Sequence, residues 1–190
     1  MKNCLYTQRI ELRPFTKADY ALVYAIAADE ETTRFLYYWG RLGMTVEQDA
    51  QRFLDYAAGG WEKENIIDRE YVLVRRADGA EIGDGSIQVI AEKTAEIGWI
   101  LLPEYRGYGY VTEMAQELLR YGFENLQMEH IIAGCDARNT ASYRVMERLN
   151  MHLWETKRGV RPIKHEGEMP GDTLVYGITK EEWLQKKTIA

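Results

Sequence analysis

Cysteine is scarce. Cys4 and Cys135 are the two thiols among 190 residues, too few for a disulfide framework and without the C-x-x-C spacing of a metal or redox site. Proline is scarce too: Pro14, Pro103, Pro162 and Pro170 fall where elements plausibly start or stop, and no Pro/Gly/Ser-rich linker, low-complexity run or internal repeat divides the chain. Long apolar runs are missing. No stretch approaches the roughly 20 residues that span a bilayer, and residues 1–9 lack the apolar core of a secretory signal, so the expected location is cytoplasmic. An excess of cations is also missing, with 24 Lys and Arg against 30 Asp and Glu and a net charge of −6. That balance argues against broad binding to nucleic acid or anionic membrane, which needs clustered positive charge. A local basic patch for a small phosphorylated ligand stays open. What is present is a globular composition, 46% hydrophobic and 12% aromatic, at a length that one core can serve. A single domain over residues 1–190 is the expectation.

Periodicity outlines the elements. Residues 8–13 read as a strand, and Thr16 to Ala28 as a helix with Leu22, Val23, Ile26 and Ala27 as its apolar stripe. A second helix runs from Thr45 towards Gly59-Gly60. Strands follow over 71–76, 81–90 and 95–102, the first two joined by a hairpin turn at Ala77-Asp-Gly-Ala80. Gly109 to Asn125 is the most regular helix pattern, with Val111, Met114, Ala115, Leu118, Leu119 and Phe123 at three- and four-residue spacing. Then come a strand at 130–135, a helix at 139–149, strands at 151–157 and 173–178, and a short helix from Thr179. The order predicts a mixed α/β fold around one central sheet.

The chemistry concentrates where the strand ending at Leu102-Pro103 passes through Arg106-Gly-Tyr-Gly-Tyr-Val111 into that regular helix. A helix N-terminus presents unpaired N–H groups and a positive dipole end. Gly107 and Gly109 let the backbone approach a ligand closely, and Arg106 adds a cation at the mouth. The physical reading is an anion site, most simply for a pyrophosphate. The alternative is a tight turn that needs glycine and binds nothing. A P-loop is excluded because no G-x-x-x-x-G-K-[ST] occurs, and the dinucleotide fingerprint fails at Thr112. A different phosphate site, for a nucleotide lacking pantetheine, would also carry the Gly-x-Gly pattern.

A second segment, Cys135-Asp-Ala-Arg-Asn-Thr-Ala-Ser142, makes the pattern specific. Arg106 to Val111 is similar to the R/Q-x-x-G-x-G/A acyl-CoA loop of the GNAT superfamily of N-acetyltransferases. Asp136 to Ser142 resembles the C-D-x-x-N-x-x-S segment of its branch that acetylates ribosomal-protein N-termini. Arg9-Ile-Glu-Leu-Arg-Pro-Phe15, Asp172-Thr-Leu-Val-Tyr176 and Glu182-Trp183 fit the same branch, so the likeness covers about residues 8–184. Two positions depart from it: Val111 stands where glycine or alanine is usual, and Asn150-Met151-His152 where Gly-Phe is.

The resemblance implies a GNAT-like fold, a mostly antiparallel sheet with a splayed strand pair flanked by helices. It also implies acetyl-CoA as cosubstrate, coenzyme A as product, and direct attack by a primary amine in a ternary complex. The acceptor would be a protein N-terminal α-amine or a small molecule. By the same likeness Ile100 and Leu102 would offer main-chain groups to the pantetheine arm, and Arg106, Gly107, Tyr108, Gly109, Tyr110 and Val111 would cradle the pyrophosphate. Asn139 would bond the arm, or act as an N-cap, or both. Ser142 is the candidate to protonate the leaving thiolate, with Tyr143 as its alternative. Glu96 is the candidate base if burial raises its pKa, with Glu155, Glu166, Glu168 and His165 as alternatives, while His130 and His152 read as structural. The aromatic run Phe35 to Gly40 reads as core or lid, or as the wall of an acceptor pocket. No metal is implied. A homodimer through an exposed sheet edge is compatible with the sequence, and so is a non-catalytic acyl-CoA sensor.

Overall fold

The computed structural model describes residues 3–36, 43–62, 68–161 and 170–187. Among them one sheet of eight strands runs through the molecule: β1 (Leu5–Tyr6), β2 (Ile10–Pro14), β3 (Asp68–Arg75), β4 (Ala80–Ala91), β5 (Thr94–Leu101), β6 (His130–Asp136), β7 (His152–Lys157) and β8 (Thr173–Thr179). Their spatial order is β1-β2-β3-β4-β5-β6-β8-β7. Every neighbouring pair is antiparallel except β5 and β6. The mostly antiparallel α/β sheet expected from the sequence is therefore present. None of the described helices is long and apolar enough to cross a membrane.

Alternation along the strands divides the core in two. Leu12, Tyr71, Leu73, Ile87 and Ile97 face α4 (Tyr110–Arg120), whose Met114, Ala115, Leu118 and Leu119 are fully or almost fully buried. Val72 and Leu102 belong to the second core, beneath α1 (Tyr20–Ala28) and α3 (Val46–Gly59), with Phe15, Leu22, Val23, Ile26, Ala50 and Leu54. Thr45 caps α3 through a reciprocal box with Gln48, and Thr16 makes the same box with Asp19. The helix expected from Thr16 opens as a 3-10 turn over Lys17–Asp19 before α1 begins. The single helix expected to Asn125 ends at Arg120 and continues as a π-turn over Tyr121–Asn125. The short strand β1 and the one-turn helix α2 (Glu30–Thr33) had no periodic signature.

Two later helices complete the architecture, α5 (Thr140–Arg148) and α6 (Lys180–Lys187). Behind α5, Asn150 takes a left-handed φ of 61°, the role glycine usually plays after a helix. Met151 follows it into the main core at 2% exposure. The Asn-Met pair thus supplies both the turn and the apolar plug.

The functional consequence lies between β5 and β6. They pair only at Thr94–Glu96 against His130–Ile132, although β5 continues to Leu101 and β6 to Asp136. Beyond Glu96 each keeps its outer partner, β4 or β8, and the two diverge. The sheet therefore opens as a V whose vertex is at Glu96.

Candidate active site

An open cavity of about 1920 Å³ occupies the V and the space on either side of it. Its lining includes Glu96, Arg106, Gly107, Gly109, Tyr110, Val111, Asn139 and Ser142, so most of the site residues expected from sequence converge on one space. Ile100 lines it as well. Tyr108, 64% exposed, Leu102 and Tyr143 are not among the lining residues.

At the loop, Gly107 and Gly109 take φ of 84° and 81°, the left-handed region where a side chain is strained. Gly109 is the N-cap of α4, and the first helical bond runs from the Glu113 N–H to the Gly109 carbonyl. The N–H groups of Tyr110, Val111 and Thr112 thus have no intrahelical acceptor and lie at the positive end of the helix. Val111 and Thr112 line the cavity beside them. Arg106 is turned elsewhere: Nε donates to the Leu101 carbonyl at 3.1 Å, Nη2 to Thr32 Oγ1, and Nη1 to Glu31 Oε1 at 3.2 Å. Its guanidinium ties the end of β5 to α2. The cation that holds the loop is Arg9, which opens the Arg9–Phe15 segment but was given no role there. Its Nη1 donates to the Tyr108 carbonyl at 3.0 Å and its Nε to Glu113 Oε2 at 2.6 Å, while the guanidinium sits 4.8 Å over the Tyr110 ring.

Ladder parity corrects one expectation. The Leu102 N–H donates to the Ile82 carbonyl at 3.0 Å, and regular pairing then turns the main-chain groups of Ile100, Gly98 and Glu96 towards β4 as well. Ile100 therefore spends its groups inside the sheet, and Leu102 spends its N–H on Ile82 and its carbonyl on the Tyr105 N–H at 3.1 Å. The groups facing the V are the Ile97 carbonyl and those of Trp99 and Leu101, since the Glu96–Ile132 pairing takes the Ile97 N–H to the Ile132 carbonyl. Arg106 already binds the Leu101 carbonyl.

Asn139 caps α5, its Oδ1 accepting from the Ser142 N–H at 3.1 Å. The Ser142 hydroxyl lies within hydrogen-bonding reach of the Cys135 thiol, which burial pushes up to about 11. Tyr143 stacks parallel on Tyr176, ring centroids 6.5 Å apart.

On the other face of the sheet Glu96 stands half-buried at the vertex, its Oε1 next to Gly134. Burial raises its pKa, and Lys157 and Arg161 oppose that rise. Two further carboxyls line this side, Glu70 on β3 and Asp84 on β4. Burial is the main cause for both: Asp84 is pushed up to about 8, and Glu70 is raised well above the carboxylate range with Asp84 and Asp68 adding to the rise. Neither showed in the sequence, where an isolated acid inside a strand reads as a solvated position. Of the other candidates, Glu155, His130 and His152 are not among the lining residues, while Phe35 is. Residues 37–40, His165, Glu166 and Glu168 lie outside the described residues.

Residues 9–152 match the family model described as an acetyltransferase (GNAT) domain. The Bacillus subtilis protein named uncharacterized N-acetyltransferase YnaD is 30% identical over 178 residues, covering 93% of this chain and 97% of its own. A crystal structure of a GNAT-family acetyltransferase from Bacillus anthracis superposes with a TM-score of 0.78 at 28% identity, over 94% of this chain and 99% of that one. The fold is shared too by the ribosomal-protein-S5-alanine acetyltransferase of Vibrio fischeri, with a TM-score of 0.74 at 17% identity over 95% and 98% of the two chains. A split sheet, a glycine loop feeding α4 and these likenesses agree: the chain belongs to the GNAT family of N-acetyltransferases, whose cosubstrate is acetyl-CoA.

Proposed function

We propose that the V between β5 and β6 holds the pantetheine arm of acetyl-CoA and that a primary amine attacks its thioester directly, in a ternary complex. The observation that carries this reading is the divergence of the two strands after Glu96, which leaves β5 main-chain groups facing a cavity instead of a neighbour. Trp99, together with the Ile97 carbonyl, pairs with the arm as a strand would. The free N–H groups at the start of α4 take the pyrophosphate, with Arg9 as the nearby cation. Asn139 combines its cap with a bond to the arm.

The two faces divide the work. Ser142 stands on α5, beside Cys135, on the side of α4. Glu96, Gly98 and Ser86 share the other side of the sheet by their register. The amine approaches from there and loses a proton to Glu96, directly or through water, and its nitrogen forms the new bond to the thioester carbon. A β5 N–H facing the V binds the developing oxyanion. Collapse breaks the C–S bond, and the Ser142 hydroxyl donates to the departing thiolate. The products are an acetamide and coenzyme A.

Thiol release from acetyl-CoA, followed against a panel of alkylamines and short peptides, tests the reading. Release that depends on the amine, together with acetylated product of matching mass, is expected. Tight acetyl-CoA binding with no transfer to any amine would leave a sensor, and failure to bind acetyl-CoA would remove both.

A further inference from the structure

The acceptor side of the cavity is electrically lopsided. Glu96 faces two cations, Lys157 and Arg161, which pull its pKa down against burial. Glu70 faces only acids among the groups that shift it, Asp84 and Asp68. Asp84 is 3% exposed, and its Oδ2 has no hydrogen-bond partner among the described residues. A carboxylate oxygen placed this way is costly unless a donor reaches it or it carries a proton. Arg52, which also lines the cavity, is paired with Asp49 at 3.0 Å, and the Arg161 guanidinium is bonded to the Phe35 carbonyl and Thr173.

Register connects the two ends. Gly98 on β5 pairs with Ser86 on β4, and Ser86 pairs with Glu70 on β3, so the three form one straight row on one face. Cross-strand partners share a face. The first two positions of the row are small, and a Cβ on Gly98 would meet Ser86 Oγ at 2.8 Å. The row is a trough from the vertex of the V to Glu70, flanked by Asp84 in the next row and walled by Phe53 and Tyr56 from α3. Two strand spacings make it about 10 Å long between Cα atoms, less the reach of the glutamate side chain.

Building on the acetyltransferase reading, we propose that the acceptor is an aliphatic diamine or polyamine, whose distal ammonium group is held by Glu70 and Asp84 while its reacting amine lies over Gly98 beside Glu96. The trough fits a linker of about five methylene groups, with Phe53 and Tyr56 against its apolar flank. The charge asymmetry sorts the two nitrogens. The cations around Glu96 favour the neutral, nucleophilic amine, while a distal ammonium supplies the charge against which Glu70 and Asp84 ionise at the far end.

Two measurements test this with matched probes, cadaverine and n-pentylamine. Calorimetric titration into the protein saturated with coenzyme A needs no chemistry. Cadaverine should bind at least ~10-fold tighter than pentylamine, as a charge-assisted contact in a sheltered site allows. Glu70→Gln should remove that difference, and Asp84→Asn should reduce it. In the transfer assay the ratio of kcat/KM for cadaverine to that for pentylamine should fall towards one in Glu70→Gln, chiefly through KM. Equal binding of the two amines by the unaltered protein would overturn the subsite, and so would a ratio that survives both substitutions or a preference for peptide amines over both. If cadaverine binds as described but no amine is acetylated, the subsite stands and the transferase reading fails.

Discussion

At the scale of single residues the site is governed by carboxyls held away from water. As the proposed base, Glu96 must be ionised to accept a proton, and burial has raised its pKa, so the rate should fall as pH drops through that raised value. Lys157 holds the pKa down. Lys157→Gln should therefore move the acid limb of kcat/KM to higher pH, and Glu96→Gln should lower kcat by about 100-fold or more. A pH profile of each variant against the parent, with one amine, checks both. Asp84 makes a different statement, about stability. Its folded value of about 8 lies above that of an unfolded aspartate, so the folded state binds the extra proton between the two. The stability contribution is whole below the unfolded value and is lost as pH rises through about 8. The melting temperature should decline over that window, and Asp84→Asn should flatten the decline.

At the scale of elements, the proposed cofactor berth rests on the glycine loop and the two caps. Gly109→Ala would force a Cβ into φ 81° at a cost of about 1–2 kcal/mol. Its nearest neighbour would be Arg9 Nη2 at 3.6 Å, an ordinary contact, so the cost is conformational. The variant should melt several degrees lower and bind coenzyme A about 10-fold more weakly by calorimetry. Asn139→Ala should lose a cap of about 1 kcal/mol together with cofactor affinity, whereas Asn139→Ser should recover the cap alone. These elements were legible because they are local: the Thr45 box, the stripe of α4 and the turn at Ala77–Ala80 are written in neighbouring residues. Ladder parity was not. Whether Trp99 or Ile100 faces the V depends on the Leu102–Ile82 bond, which no window of sequence contains. Arg9 and Glu70 were hidden for the same reason, since their partners are strands or helices distant in the chain. Arg106 was expected as a cation at the mouth, whereas its guanidinium is committed to the Leu101 carbonyl and to α2, which only tertiary contact reveals.

At the scale of the whole molecule the sheet is held across its middle by three residues on each side. A cofactor that bridges β5 and β6 should stiffen the entire chain. Saturating coenzyme A at about 100 times its Kd would add about 2.7 kcal/mol, or several degrees of melting temperature for a chain of this length, measurable by differential scanning fluorimetry. Hydrogen exchange should slow chiefly at Trp99, whose amide faces the V, and much less at Ile97 and Ile100, whose amides are already in the ladders to β6 and β4. Equal slowing at all three would contradict the parity argument.

The two-sided cavity has a kinetic corollary. On the proposed reading, donor and acceptor reach the vertex through opposite faces of one sheet, so neither blocks the other's exit. Coenzyme A accumulating as product should then inhibit competitively against acetyl-CoA but not against the amine. Plots of reciprocal velocity at several fixed amine concentrations should intersect rather than run parallel.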